Sequence, residues 1–302
     1  MIPSSQVFAD PDVDLEFRKN GYVVLPILNE SEIHSLLELW DRLAIAVPAD
    51  FFLSINSDDR RLRRLVADNI LEVLAPHVAP IIPGHQPMSG CFAVKRGNSS
   101  KGEVGLHQDA TFVDQTIYTA VHLWCPLVDV DEHNGCLRLI AGSHAFVDHI
   151  AGLPWSPSPW DTVRELLCSD CSTTVPLKAG SALFYNERTL HWSAENQSDG
   201  TRLAIASAYI PTNSHARFHL WDPANPNRFE LMELEGQLTV DLGSANGYRP
   251  PYPEDWRHIG FMDYEFEPLT PHQIEPLMVR RPVAVATEPP QHRGWLARLR
   301  LR

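Results

Sequence analysis

The chain has 302 residues, 44% of them apolar, which is enough for a sizeable core in one large domain or two small ones. Twenty-five Lys and Arg stand against 38 Asp and Glu, and the formal charge of -13 disfavours attraction to nucleic acid or to an anionic membrane surface. The stretch Met1–Asp12 is polar and acidic, and no apolar run reaches the roughly 18 residues of a membrane span. Neither a signal peptide nor a span is expected, and a cytoplasmic protein is.

In chain order, residues 1–82 read as mostly helical support, interrupted by one strand-like stretch, Gly21-Tyr-Val-Val-Leu-Pro26. Asn29 or Ser31 can cap a helix whose apolar face is Ile33, Leu36, Leu37, Leu39 and Leu43, at three-and-four spacing. A second helix is expected from about Arg61 to Val78, with Leu65, Val66, Ile70, Val73 and Leu74 on its buried side. Neither helix carries an obvious chemical group.

From residue 90 to 211 the pattern becomes short β-rich stretches separated by Gly, Asn, Asp and Pro, as in an antiparallel sandwich or barrel. Strands are expected at Cys91–Lys95, Tyr118–Leu127, Cys136–Ile140, Thr173–Pro176, Ala182–Tyr185 and Arg202–Ile210. The segment from His144 to Ser172 is too long for a hairpin loop and suits a binding or lid element. Residues 212–280, rich in aromatic side chains and proline, should wrap the core as part of one domain over 1–280; residues 281–302 read as a flexible basic tail. Five cysteines form no dense framework, so structural disulfides are not expected, and Cys168 and Cys171 read as loop thiols without a second pair to complete a zinc site.

The chemistry concentrates in Gly105-Leu-His107-Gln-Asp109. A histidine and a carboxylate two residues apart project to the same side of an extended strand and can share one ion. His191, just after an apolar strand, offers a third ligand. Two imidazoles and one carboxylate on one face of an octahedral metal leave positions open for co-substrate and oxygen, the arrangement of non-haem iron(II) oxygenases. By itself His-x-Asp is weak, since a chain with 14 histidines produces such tripeptides by chance. Arg202, however, opens the apolar strand that follows, where an unpaired guanidinium is expensive. The distal carboxylate of 2-oxoglutarate would be its partner, and a structural Arg–carboxylate pair is the alternative.

With these residues in place the chain resembles the phytanoyl-CoA dioxygenase family over roughly Gly21 to Pro211. The resemblance is carried by Asn20-Gly-Tyr-Val-Val-Leu-Pro26, by His107-Gln-Asp109, by Trp124-Cys-Pro-Leu-Val-Asp-Val-Asp-Glu-His-Asn134-Gly-Cys-Leu137, by Gly142-Ser-His144, and by Arg202 eleven residues after His191. It implies a mainly β fold with flanking α-helices, a double-stranded β-helix (jelly roll, cupin-like) core, where strand counting leaves several sandwiches open. It also implies His107, Asp109 and His191 as ligands of Fe(II) and Arg202 as the anchor of 2-oxoglutarate. The activity implied is a dioxygenase that hydroxylates or otherwise oxidises a small-molecule metabolite with O2, releasing succinate and CO2. Trp124 matches a family tryptophan beside the co-substrate, and strand alternation puts His122 on the same face; Ser207 and Lys95 are weaker candidates, Lys95 reading as a solvated strand end. Two alternatives stay open: a metal-binding jelly roll without oxygenase activity, and an isomerase or hydrolase on the same scaffold.

Overall fold

The computed structural model describes residues 6–146, 148–153, 156–234 and 256–278. Three helices lead the chain: α1 (Pro11–Asn20), α2 (Glu30–Leu43) and α3 (Arg60–Ile81). Of the two expected caps Asn29 is the one used: its Oδ1 accepts from the backbone of Ser31 and Glu32, and Glu32 accepts from the Asn29 N–H in return. Such a cap contributes about 1 kcal/mol. In α3 the inner face is Val66, Ile70 and Leu74, each fully buried and each stabilising by about 1.5–3 kcal/mol. Leu65, expected on that face, points outward and is 46% exposed, because the face falls on Val66, Ile70 and Leu74, one position further round.

Fourteen strands are found among the described residues. The larger sheet runs in the order β1 (Tyr22–Pro26), β9 (Ser181–Asn186), β6 (Val121–Pro126), β11 (Arg202–Pro211), β4 (Cys91–Lys95) and β2 (Phe51–Leu53), with β3 (His85–Pro87) also on β11. The smaller sheet is β5 (Val104–His107), β10 (His191–Ser193), β7 (Arg138–Leu139) and β8 (Thr173–Thr174). Together they make the expected double-stranded β-helix with helices outside.

Side-chain alternation divides the larger sheet cleanly. Val121, Leu123 and Cys125 of β6, Phe92 and Val94 of β4, and Leu203 and Ile205 of β11 join the cluster that packs under α2 and α3. Trp124, Ala93 and Ala204 face the other way, toward the smaller sheet. In register, Tyr185, His122 and Ala208 form one rung of that inner face, and Leu183, Trp124 and Ala206 the next. Two departures from expectation matter here. The N-terminal region is more than outer support, because β1 and β2 belong to the larger sheet. Residues after 211 also form strands: β12 (Ala216–Trp221), β13 (Arg228–Leu234) and β14 (Trp256–Asp263) make a third sheet, whose Phe218, Met232 and Trp256 cluster with Ala208 and Ile210. A last helix, α4, spans Pro271–Met278. Among the described residues no helix is long and apolar enough to cross a membrane. Trp155, Tyr248, Tyr252 and the tail 281–302 lie outside the described residues.

Candidate active site

The β5–β10 ladder pairs His191 directly with His107, so two imidazoles from distant parts of the sequence become neighbours, their ring centroids 4.2 Å apart. Asp109 follows His107 by two residues and turns to the same side. One ligand atom from each of the three lies within 4.8 Å of the others, and this is the one such candidate metal group among the described residues. Each ring is oriented from behind: His107 Nδ1 donates to the Gly105 carbonyl at 2.8 Å and His191 Nδ1 to the Thr189 carbonyl at 2.9 Å. A carbonyl can only accept, so both Nδ1 atoms carry the proton and both Nε2 lone pairs are directed at the common point, as metal-binding histidines require.

Asp109 is held just as firmly. Its Oδ2 accepts from Tyr185 Oη at 2.9 Å and pairs with His122 Nδ1 at 2.9 Å. Burial opposes ionisation of Asp109, but His122, through its charge and its hydrogen bond, leads the surrounding histidines in outweighing it and holds the carboxyl far below the usual range. Burial and the neighbouring His107 push His191 down to about 4, leaving it neutral and able to ligate. Tyr185 is raised well above its ordinary value by burial and by Asp109, so it remains a donor. The donor set of two neutral imidazoles and one carboxylate fits a divalent transition metal such as Fe(II).

The three groups open into a cavity of about 720 Å3 that is also lined by His122, Trp124 and Arg202. Arg202 is 2% exposed, its Nε has no hydrogen-bond partner, and no carboxylate among the described residues pairs with it. Its guanidinium carbon lies 5.2 Å from the centre of the Trp124 ring, a cation–π contact that fixes the fork without neutralising it. Burial lowers its pKa to about 9, so it stays charged at neutral pH. A buried, unneutralised cation at the wall of a cavity is the feature that an anionic co-substrate would complete.

The sequence model of the phytanoyl-CoA dioxygenase (PhyH) family matches residues 17–204, more than half of the chain and all of the groups just described. The chain belongs to this family. Among curated PhyH relatives it is 32% identical over 130 residues to phytanoyl-CoA dioxygenase domain-containing protein 1 of Danio rerio, a match covering 41% of this chain and 43% of that protein. It is 33% identical over 112 residues to a phytanoyl-CoA dioxygenase of Arabidopsis thaliana, covering 35% and 38%. The match thus spans less than half the length of either relative. Among solved structures, the epimerase SnoN in complex with Fe3+, alpha ketoglutarate and nogalamycin RO superposes with a TM-score of 0.52 at 22% identity, covering 87% of this chain and 98% of that one. The carbocyclase SnoK gives 0.51 at 20%, covering 74% and 92%. Both share the fold.

The remaining candidates are distributed around this PhyH-type core. His122 and Trp124 both face the cavity as alternation implied, but His122 spends its Nδ1 on Asp109. Ser207 lines the cavity yet is out of phase with Arg202, and its hydroxyl is spent on the Ser89 carbonyl. Lys95, expected to be a solvated strand end, is fully buried opposite Arg202 in the ladder, and its Nζ donates to the carbonyls of Ser193 (3.1 Å) and Ala194. Burial and the Arg202 charge lower it to about 7. Gly142-Ser-His144 is structural: Ser143 Oγ accepts from the Leu190 N–H, and His144 Nε2 meets the Arg18 carbonyl. Cys168 and Cys171 form no disulfide. Trp160 and Trp256 are buried in packing clusters and do not themselves line the cavity, and Trp221 is only half-buried.

Sequence reasoning missed Tyr185 and Glu187. Tyr185 reaches the site through the register of β9 on β6, which sets it opposite His122. Glu187 is buried, accepts from the Phe112 N–H at 3.2 Å, and is pushed up to about 7 chiefly by burial. Gln108 points away from the metal side, as a strand requires, but into protein: it is 1% exposed and its Nε2 donates to the His149 carbonyl at 3.0 Å.

Proposed function

We propose that the chain is an Fe(II)- and 2-oxoglutarate-dependent dioxygenase acting on a small-molecule metabolite. The observation that carries this reading is the buried, unneutralised Arg202 facing the same cavity as His107, Asp109 and His191. When bound, Fe(II) with 2-oxoglutarate and O2 supplies oxidation of a C–H bond, with succinate and CO2 as the other products.

His107, Asp109 and His191 would hold the iron, Arg202 the distal carboxylate of 2-oxoglutarate in a two-pronged charge-assisted bond, and Trp124 the flank of that bond. Tyr185 and His122 occupy Asp109 Oδ2, which leaves Oδ1 as the oxygen available to a metal. Cys91 also lines the cavity, but burial pushes its thiol up to about 12, so it offers no thiolate. An isomerase or hydrolase using the same three ligands would leave Arg202 without a function.

The test is succinate formation from 2-oxoglutarate by the purified protein with Fe(II) and O2, alone and with fractionated metabolites. Turnover above the level of an Asp109→Ala control, stimulated by at least one fraction, is expected. Succinate at the control level throughout would overturn the proposal.

A further inference from the structure

The inner face of β11 reads Arg202, Ala204, Ala206, Ala208, a cation followed by three of the smallest side chains, over about 20 Å by strand rise. The alanines keep this face shallow, and the cavity occupies the space above them. Its regions differ in chemistry. Arg202 and Trp124, both buried, mark one end. The rung of Tyr185, His122 and Ala208 stands beside Asp109. Beyond that rung the lining is Ala110, Phe112, Leu153 and Ile55, and exposed Asn56 and Asp58 also line the cavity.

We infer that the primary substrate is an uncharged, largely apolar organic molecule of about ring-system size, seated against Phe112, Leu153, Ile55 and Ala208; the inference rests on the proposed function. Among the described residues Arg202 is the sole Lys or Arg of the lining, and a five-carbon diacid bound there consumes it. A substrate carboxylate or phosphate would then be buried without a counter-ion, which is strongly unfavourable. The diphosphate of an acyl-CoA needs cations, and beyond Arg202 the described lining offers none and includes exposed Asp58. A sugar would need a row of hydrogen-bonding partners where the wall offers Ala110, Phe112, Leu153 and Ala208. The cavity volume, about 720 Å3, greatly exceeds what the co-substrate fills and lies in the range of sites that enclose drug-sized ligands.

The experiment compares two dyes of one skeleton, neutral N-phenyl-1-naphthylamine and its sulfonate 8-anilinonaphthalene-1-sulfonate, on the full chain loaded with Mn(II) and 2-oxoglutarate. The neutral dye should bind one to one and at least tenfold more tightly than the sulfonate. Ala208→Phe, which fills the space beside the metal, should weaken it at least tenfold while Mn(II) and 2-oxoglutarate affinities stay unchanged; Ala208→Leu, a smaller intrusion, serves if the larger one does not fold. Sulfonate binding equal to or tighter than that of the neutral dye would overturn the inference. So would failure of the neutral dye to bind one to one, or its indifference to both substitutions. Loss of 2-oxoglutarate binding to the wild-type protein, titrated before any dye is added, would instead overturn the proposed function.

Discussion

Replacing Arg202 by Met has opposite consequences with and without the co-substrate. Without it, the guanidinium is 2% exposed, has an unpartnered Nε and has no carboxylate to meet, so removing it abolishes an uncompensated buried charge. A methionine keeps most of the stem volume and the contact with Trp124, and the melting temperature should hold or rise. With 2-oxoglutarate, the same substitution leaves a carboxylate buried with no partner. By analogy with buried charge pairs this costs about 2–5 kcal/mol, which at 1.4 kcal/mol per factor of ten is about 30-fold to several thousandfold in Kd. Isothermal titration of 2-oxoglutarate into the Mn(II)-loaded protein, beside a thermal melt of the unloaded one, reads both effects. A 2-oxoglutarate affinity within threefold of wild type would refute the reasoning, and a collapse of unloaded stability would show Arg202 to be a structural cation.

Asp109→Ala should weaken Mn(II) or Fe(II) binding at least tenfold while leaving the β5–β10 pairing intact; unchanged metal affinity by titration would exclude it as a ligand. Gln108→Ala should lower stability by about 0.5–1.5 kcal/mol, the net contribution of one hydrogen bond, because the His149 carbonyl keeps the Gln115 Nε2 donor at 2.7 Å. Urea unfolding checks this, and an effect under about 0.3 kcal/mol would contradict it. His149 and His219 are both buried and both pushed down to about 4, chiefly by burial. The unfolded chain protonates these groups near 6.5, so the stability they contribute is full above that pH and is lost as pH falls toward 4, by about 3 kcal/mol each. Urea midpoints between pH 7 and 4 should fall less steeply in His149→Gln, and parallel curves would refute the assignment.

The features legible in the sequence were those set by local period and by single-residue chemistry. Alternation placed His122 and Trp124 on one face, and β4 and β11 fall where their apolar runs predicted them. The His-x-Asp spacing brought two candidate ligands together on β5 and just beyond it. The strands that were missed are short or atypical. Residues 51–53 contribute three residues to the sheet edge, and 191–193 form a strand only through their ladders with β5 and β7. The third sheet was hidden because its strands mix charged and aromatic side chains, so no clean period of two appears. Tyr185 and Glu187 could not be recognised as partners of the site because their role depends on register across β6 and on burial, neither of which a single strand encodes. Lys95 misled for the same reason: a lysine at a strand end reads as solvated until the crossing of β10 supplies carbonyls to receive it. Gly142, with a φ of 79°, is the turn that lets Ser143 reach the Leu190 N–H and brace the start of the strand that carries His191.

The central claim is that iron and 2-oxoglutarate meet in one site built by His107, Asp109, His191 and Arg202. Its most direct test is anaerobic absorption spectroscopy of the protein as Fe(II) and then 2-oxoglutarate are added. A metal-to-ligand charge-transfer band should appear with both components present and saturate at one equivalent of iron. It should be absent in Asp109→Ala and should require far more 2-oxoglutarate in Arg202→Met. Absence of the band in the wild-type protein, or a band unaffected by both substitutions, would contradict the claim.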